Sequence, residues 1–187
     1  MTEDYLDLVV QGSVQMSKFL DICVDDMNIE ARANTPMRFT EAFLELMGQN
    51  DDPWEFTTFE STCDEMVIIK DIDFVTLCEH HLLPFIGVAH IGYIPQGRIA
   101  GLSKIARAVK DCCRGLWAQE VLTAVIADYL TDRLEPSGVA VVMEAEHTCM
   151  GIRGVKTARA RTTTSCMRGV FLDHTRLARS EFLGLIK

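Results

Sequence analysis

The sequence lacks any long hydrophobic run. Although 48% of its 187 residues are hydrophobic, no stretch approaches the roughly 18–20 apolar residues of a membrane-spanning helix. The first residues, which include Glu3 and Asp4, are acidic where a secretory signal would be basic, so we expect no signal peptide. Internal repeats, low-complexity tracts and Pro/Gly/Ser linkers are also missing. These absences favour a single domain in the cytoplasm.

Positive charge is scarce overall but concentrated locally. The chain has 18 basic and 27 acidic side chains, a net charge of −9, which argues against nucleic acid or an anionic membrane as the main partner. A small polyanion remains compatible with the sequence, because six basic residues fall in two short segments: Lys104, Arg107, Arg153, Lys156, Arg159 and Arg161.

The cysteines do not suggest a disulfide framework. They number seven, which is odd, and free or metal-bound thiols in a reducing compartment fit their spacing better. We interpret five of them as buried small hydrophobic residues: Cys23, Cys63, Cys112, Cys113 and Cys166.

Local patterns predict an α+β domain. We expect helices at residues 5–23, from Thr35-Pro36 to about 47, and at 102–113, 117–134 and 175–186; we expect strands at 66–76, 85–94, 139–145 and 156–165. This order of elements fits a domain in which the strands pair as hairpins and the helices lie on one face of the sheet.

Two clusters offer the ligands that zinc prefers. Cys78 and His81 lie three residues apart in one predicted loop, and Cys149 lies far downstream. A catalytic zinc site uses three protein ligands and keeps one position open for water. His80 and His147 are then left as proton carriers, since imidazole suits proton transfer near neutral pH.

A structural zinc knuckle is the alternative, with a fourth ligand drawn from Glu79, His80 or His147. The two surplus imidazoles favour a catalytic site. The remaining histidines, His90 and His174, are interpreted as ordinary structural residues.

A third group of residues suits a phosphorylated substrate. Ser103, Lys104 and Arg107 begin a predicted helix, whose free N–H groups suit phosphate, although a solvated basic face is equally compatible. Arg153 adds a guanidinium close to Cys149. Gln119-Glu120 opens another helix, where Glu120 is either a surface residue that compensates the helix dipole or a carboxylate for a guanine edge.

Four motifs resemble the GTP cyclohydrolase I family. They are CEHHLLPF at 78–85, GLSKIAR at 101–107, QEVLT at 119–123 and EAEHTCMGIRGV at 144–155, and the resemblance runs from about residue 35 to the C-terminal helix. It implies the tunnelling fold, an antiparallel sheet with helices on one face preceded by N-terminal helices. It also implies one domain over 1–187, with a helical part at 1–50 and a catalytic core at 60–187, and toroidal decamers with active sites between subunits.

The resemblance also implies a reaction and the residues that perform it. GTP would be hydrolysed at C8 with release of formate and rearrangement to 7,8-dihydroneopterin triphosphate, which feeds a pterin, folate or 7-deazaguanine pathway. The implied roles are zinc binding by Cys78, His81 and Cys149; catalysis by His80 and His147; guanine binding by Gln119 and Glu120; triphosphate and ribose binding by Ser103, Lys104, Arg107 and Arg153; and contact with a neighbouring subunit's site by Arg38. There are two alternatives: another tunnelling-fold pterin or deazaguanine enzyme, and a zinc-stabilised binding module without catalysis.

Overall fold

A computed structural model describes residues 3–48, 53–173 and 177–187. The chain divides into two compact units, Met1–Pro53 and Trp54–Lys187. The first unit is a pair of helices, α1 (Glu3–Cys23) and α2 (Ile29–Leu46). None of the helices within the described residues is long and apolar enough to cross a bilayer.

The predicted start of α2 at Thr35-Pro36 is wrong, because Pro36 lies inside the helix. The helix begins seven residues earlier, where the Asn28 side chain accepts a hydrogen bond from the Glu30 N–H at 2.8 Å and caps the first turn. A proline inside a helix removes one backbone hydrogen bond, because it has no N–H. Pro36 nevertheless lies within α2, and its carbonyl accepts a hydrogen bond from the Thr40 hydroxyl at 2.9 Å.

The second unit is built on a mixed sheet. Its strands are β1 (Thr58–Glu60), β2 (Val67–Cys78), β3 (Pro84–Ile94), β4 (Arg98–Ala100), β5 (Leu116–Trp117), β6 (Gly138–His147) and β7 (Thr162–Gly169). Among the described residues, five strands form one sheet in the order β5-β2-β3-β6-β7, and β1 pairs with β4 separately. All pairings are antiparallel except the two-residue pairing of β5 with β2.

Two helices cover one face of this sheet, as an α+β domain requires. They are α3 (Leu102–Cys112) and α4 (Gln119–Leu134), and their apolar residues, such as Ile105 and Ile126, share a core with Phe85, Ile91 and Met143 of the strands. The expected α+β class is confirmed.

A smaller core lies on the opposite face. A 3₁₀ turn (Val170–Leu172) and the last helix pack there against β6 and β7, with Phe171 and Phe182 fully buried. Gly92 makes this packing possible, because a Cβ at that position would lie 2.6 Å from the Phe182 ring. Farther along this face Arg161 bonds to Glu144 and Glu146, each at 3.0 Å.

The remaining differences from the sequence-based expectations concern element ends and short elements. A one-turn helix, α5 (Thr148–Gly151), and the strands β1, β4 and β5 were not predicted, since two to four residues carry no periodicity. β7 begins at Thr162 rather than at 156, because Gly154 and Lys156 adopt positive φ and place the preceding segment in turns. The final helix, α6, spans Ala178–Leu185, and His174 lies outside the described residues.

Burial of the five non-ligand cysteines is only partly as expected. Cys113 is buried, and Cys112 and Cys166 are partly buried, but Cys23 and Cys63 are exposed, so the interpretation is wrong for those two. Desolvation raises the pKa of Cys112 and Cys113 to about 12, which keeps both thiols protonated and inert.

The β3–β6 pairing positions the site. In its register Phe85 lies opposite His147, so the turn that precedes β3 and the helix that follows β6 meet at one end of the sheet. Gly87 allows the two strands to pack closely at this end, because a Cβ there would lie 2.0 Å from the Glu144 carbonyl oxygen.

We therefore expect Gly87→Ala to destabilise the fold by about 1–3 kcal/mol through overpacking, and to weaken metal binding at the same end of the sheet. Urea denaturation and metal titration would measure both effects. The matched control is Gly184→Ala, since a Cβ at Gly184 meets nothing within 4 Å. Equal stability of the two variants would contradict the close-approach argument.

Candidate metal centre and active site

Cys78 is the last residue of β2 and begins a tight turn. Its N–H donates to the Leu83 carbonyl and its carbonyl accepts from the Leu82 N–H, both at 2.9 Å. Leu82 adopts a left-handed conformation with φ 55°, which closes the turn. The Glu79 N–H donates to the Trp117 carbonyl at 3.2 Å and ties the turn to β5. These bonds hold the Cys-x-x-His segment in one conformation.

Cys149 reaches the same place from β6. It lies in α5, directly after that strand ends at His147. The Thr148 hydroxyl donates to the Pro84 carbonyl at 2.5 Å and fixes this helical turn against the start of β3. A residue far away in sequence is thereby placed beside the Cys78 turn.

The structure brings Cys78, His81 and Cys149 together. Their ligand atoms all lie within 4.8 Å of one another, and Cys78 Sγ is 3.8 Å from His81 Nδ1. Ligand atoms around a tetrahedral zinc ion are about 3.5–3.8 Å apart, given its bond lengths. A small contraction would satisfy that geometry, so this group could hold a metal ion. The two thiols are buried and the imidazole is exposed, which leaves the solvent side accessible.

The electrostatics of the thiols also fit a cation. Burial raises the pKa of Cys149, the neighbouring Cys78 raises it further, and the positive charge of Arg153 partly opposes the rise. The Cys149 thiol therefore resists ionisation until a cation compensates its charge, and a coordinating metal does so.

His80 lies beside this group without joining it. Its Nδ1 is also 3.8 Å from Cys78 Sγ, and its Nε2 is 3.6 Å from Glu79 Oε1. Within the part of the chain that the structure describes, however, the only set that converges as a metal site contains His81. His80 is exposed and remains available for other contacts.

His147 is held by two perpendicular contacts. Its ring stacks on Phe85 with centroids 4.4 Å apart and planes 12° apart, and its Nε2 is 2.8 Å from Gln119 Oε1. Burial lowers the pKa of His147 below its usual range, and the negative charge of Glu120 partly opposes this shift. A neutral imidazole is therefore favoured near neutral pH.

Gln119 and Glu120 have different environments although they are adjacent. Gln119 is 1% exposed, and its amide bonds only to groups within the fold. Glu120 is exposed and close enough to influence His147 electrostatically. Glu120 is thus the member of the pair that presents a free polar group at the surface. The expectation that Gln119 binds guanine stays a prediction.

The basic residues are mostly exposed. Ser103 and Arg107 lie on the surface of α3, and Arg153 lies on the surface close enough to act on Cys149. Lys104 donates to the Glu55 carbonyl at 2.8 Å and lies 5.8 Å from the centroid of the Trp54 ring. In the first unit, Arg38 pairs with Glu30 at 2.8 Å.

Three residues near His147 were missed from the sequence. Phe85 supports its ring, and Thr123 and Thr164 belong to the hydrogen-bond network around Gln119. Phe85 was already part of a recognised motif, but only the strand register shows that it faces His147. Single threonines in a helix and a strand carry no such signal.

A group that could hold a metal ion, next to two further imidazoles at one end of a largely antiparallel sheet, is typical of a metal-dependent hydrolase. Comparison with known proteins narrows this class to one family. The sequence profile described as GTP cyclohydrolase I matches residues 13–187. The chain is 46% identical over 172 residues to the GTP cyclohydrolase 1 of Geobacillus sp. (strain WCH70), covering 90% of this chain and 91% of that protein. It is 49% identical over 162 residues to that of Listeria monocytogenes serotype 4a (strain HCC23), covering 84% and 85%.

This chain belongs to the GTP cyclohydrolase I family. Among solved structures, it is similar to the apo form of the archaeosine synthase QueF-Like, with a TM-score of 0.46 and 15% identity, covering 56% of this chain and 93% of that one.

We predict that Cys149→Ser removes the bound metal, because the substitution takes away one of its three ligands. Within the described residues, no other group of side chains converges to hold the ion. Elemental analysis of the purified protein would show the loss. Cys63→Ser is the matched control, since Cys63 is exposed and outside the site, and it should keep a full complement of metal. Retention of metal by Cys149→Ser would refute the ligand set.

Proposed function

We propose that this chain hydrolyses GTP at C8, releases formate and forms 7,8-dihydroneopterin triphosphate. The observation that carries the proposal is the convergence of Cys78, His81 and Cys149 beside His147 in a member of this family. The reaction opens the imidazole ring of the purine, which requires an activated water and proton donors. The end of the sheet at which β2, β3 and β6 meet offers residues for both.

The metal is zinc in this proposal. Two thiolates and one imidazole are the soft ligands that zinc prefers, and three ligands are the number that catalytic zinc sites use. When bound, the ion supplies a Lewis acid that activates water at neutral pH.

His147 is the proton donor to N7 as water adds to C8. Phe85 and Gln119 hold its ring, so the distance to a bound purine can be set by the fold rather than by side-chain rotation. Because burial lowers the pKa of His147, its resting ring is neutral and must take up a proton before the step; the imidazolium then formed is a stronger acid than that of an ordinary histidine. His80, exposed and next to Glu79, assists proton transfer during opening of the ribose ring.

Substrate binding is assigned to the exposed polar residues around the centre. Glu120 accepts hydrogen bonds from the N–H groups of the guanine edge, and Gln119 precedes it at the start of α4. The triphosphate and ribose are bound by Ser103, Lys104, Arg107 and Arg153; Lys104 already donates to the Glu55 carbonyl and keeps two further N–H donors for a phosphate. Arg38 reaches the site of a neighbouring subunit.

The remaining features follow from the family. A homodecamer with active sites between subunits is proposed, with the described chain as one subunit. A reducing compartment such as the cytoplasm keeps Cys78 and Cys149 as free thiols that a metal can bind. One domain with a helical part at 1–50 and a catalytic core at 60–187 stays a prediction.

His147→Ala should retain zinc but lose about 10²- to 10⁴-fold in rate, the usual contribution of a general acid or base. Formate release and pterin fluorescence after addition of GTP would give the rate, and elemental analysis the zinc content. His90→Asn is the control, because His90 lies outside the site and its Nδ1 accepts from the Asp71 N–H at 3.2 Å, a bond that asparagine can keep. Loss of zinc from His147→Ala would show that the roles are misassigned.

Arg153→Ala should raise KM for GTP by roughly 10- to 100-fold, the value of a hydrogen bond between charged groups. Arg159→Ala is the matched control, since Arg159 is an exposed basic residue of the same segment without an assigned role. Guanosine, which lacks phosphates, should bind both variants and the unmodified protein alike. Equal effects of the two substitutions would indicate nonspecific electrostatic attraction and overturn the Arg153 assignment.

A further inference from the structure

Gln119 is a buried polar residue at the centre of the proposed site. It is 1% exposed, begins α4 and makes hydrogen bonds to β6, β7 and His147. We propose that Gln119 is a positioning residue, whose amide holds His147 in the tautomer that carries its proton on Nε2. His147 then exchanges protons with substrate through Nδ1 alone. This inference rests on the proposed function and deepens it.

The orientation of the Gln119 amide is fixed by its surroundings. Its nitrogen lies 3.0 Å from the Thr162 carbonyl oxygen and 3.3 Å from the Met143 carbonyl oxygen. Carbonyl oxygens only accept hydrogen bonds, so the NH₂ group must face them; the flipped amide would oppose oxygen to oxygen twice. Oε1 therefore faces His147.

The two threonines support the same orientation. The Thr123 hydroxyl donates to the Gln119 carbonyl at 2.7 Å, so the Thr164 hydroxyl donates to Thr123 across their 2.6 Å contact. Thr164 Oγ1 is then free to accept from Gln119 Nε2 at 3.1 Å. A rearranged Thr164 hydroxyl could donate to a flipped amide oxygen, but the Met143 and Thr162 carbonyl oxygens would still face that oxygen without a donor between them.

The tautomer of His147 follows directly. Gln119 Oε1 is an acceptor 2.8 Å from His147 Nε2, so Nε2 must carry a proton. Stacking on Phe85 fixes the plane of the ring, and a 180° flip within that plane would place Cε1 instead of Nε2 against Gln119 Oε1 and lose the hydrogen bond. In the neutral imidazole Nδ1 is consequently the unprotonated nitrogen.

This arrangement leaves the Gln119 bond unchanged through a proton transfer. When the imidazolium gives its Nδ1 proton to the purine, the product is the neutral ring with its proton on Nε2, which is the form that Gln119 already binds. No group in the network has to reorient during the step, which is the kind of preorganisation that lowers a barrier.

The same contacts argue against a role for Gln119 in binding guanine. Both amide hydrogens are engaged by three acceptors within the fold, and Oε1 is engaged by His147. A direct contact with substrate would break this buried network, whereas the neighbouring Glu120 is exposed and free to make it.

Gln119→Met tests the inference, because methionine has a similar length and no strong acceptor for the imidazole N–H. In the zinc-loaded protein we expect kcat to fall by about tenfold or more while KM for GTP changes by less than roughly twofold. Glu120→Gln is the contrasting variant and should raise KM. A rise in KM with unchanged kcat for Gln119→Met would overturn the inference in favour of a guanine contact.

Imidazole ¹⁵N NMR of histidine-labelled, zinc-loaded protein gives a readout that a merely structural role would not change. At mildly alkaline pH, His147, assigned by comparison with His147→Ala, should show a protonated Nε2 in the unmodified protein and a mixture of tautomers in Gln119→Met. An unchanged tautomer in the variant, or a protonated Nδ1 in the unmodified protein, would refute the proposal.

Two further measurements distinguish failure of this inference from misfolding of the variant and from failure of the proposed function. Should Gln119→Met fail to fold, Thr164→Val, which removes one acceptor of the Gln119 amide, must shift the His147 signals in the same direction or the inference fails. Should the unmodified protein not convert GTP, the proposed function fails, while the NMR spectra still decide the tautomer.

Discussion

The site depends on the pairing of β3 with β6. Because Phe85 lies opposite His147 in that pairing, the turn after β2 and the one-turn helix after β6 are brought to the same end of the sheet. A shift of one residue would turn His147 to the other face and separate Cys149 from Cys78. The backbone reinforces the register at its end, where the Thr148 hydroxyl bonds to the Pro84 carbonyl. The candidate metal ligands and His147 thus share one structural origin.

The site combines a rigid interior with an exposed rim. Cys78, Cys149 and Gln119 are buried and held by the fold, whereas His80, His81, Glu120 and Arg153 face solvent. Burial explains the perturbed titration of the inner groups: it raises the pKa of Cys149 and lowers that of His147. The charge of the whole chain is −9, and Arg153 places a positive charge on this exposed side.

Much of this could be predicted from the sequence, for identifiable reasons. The strands are rich in Val and Ile, and Cys-x-x-His with a distant His-x-Cys is an uncommon set of possible zinc ligands, so the fold class and the convergent residues were accessible. The start of α2 was not, because Asn28 is an equally good cap and a proline is normally read as a boundary rather than an interior residue. The family resemblance assigns Gln119, with Glu120, to guanine binding, and nothing in its neighbourhood along the chain reveals that β6 and β7 enclose its amide. Exposure of Cys63 likewise depends on long-range packing that composition does not encode.

In the proposed function, the first turn of α4 links two tasks that are usually assigned to separate parts of an enzyme. Gln119 points inward to His147, and the next residue, Glu120, is exposed, so one helix carries both. The position of α4 is set by Leu122, Ile126 and Leu130, which are fully buried against the sheet. On that proposal, repacking these leucine and isoleucine side chains would alter base selectivity and turnover in concert.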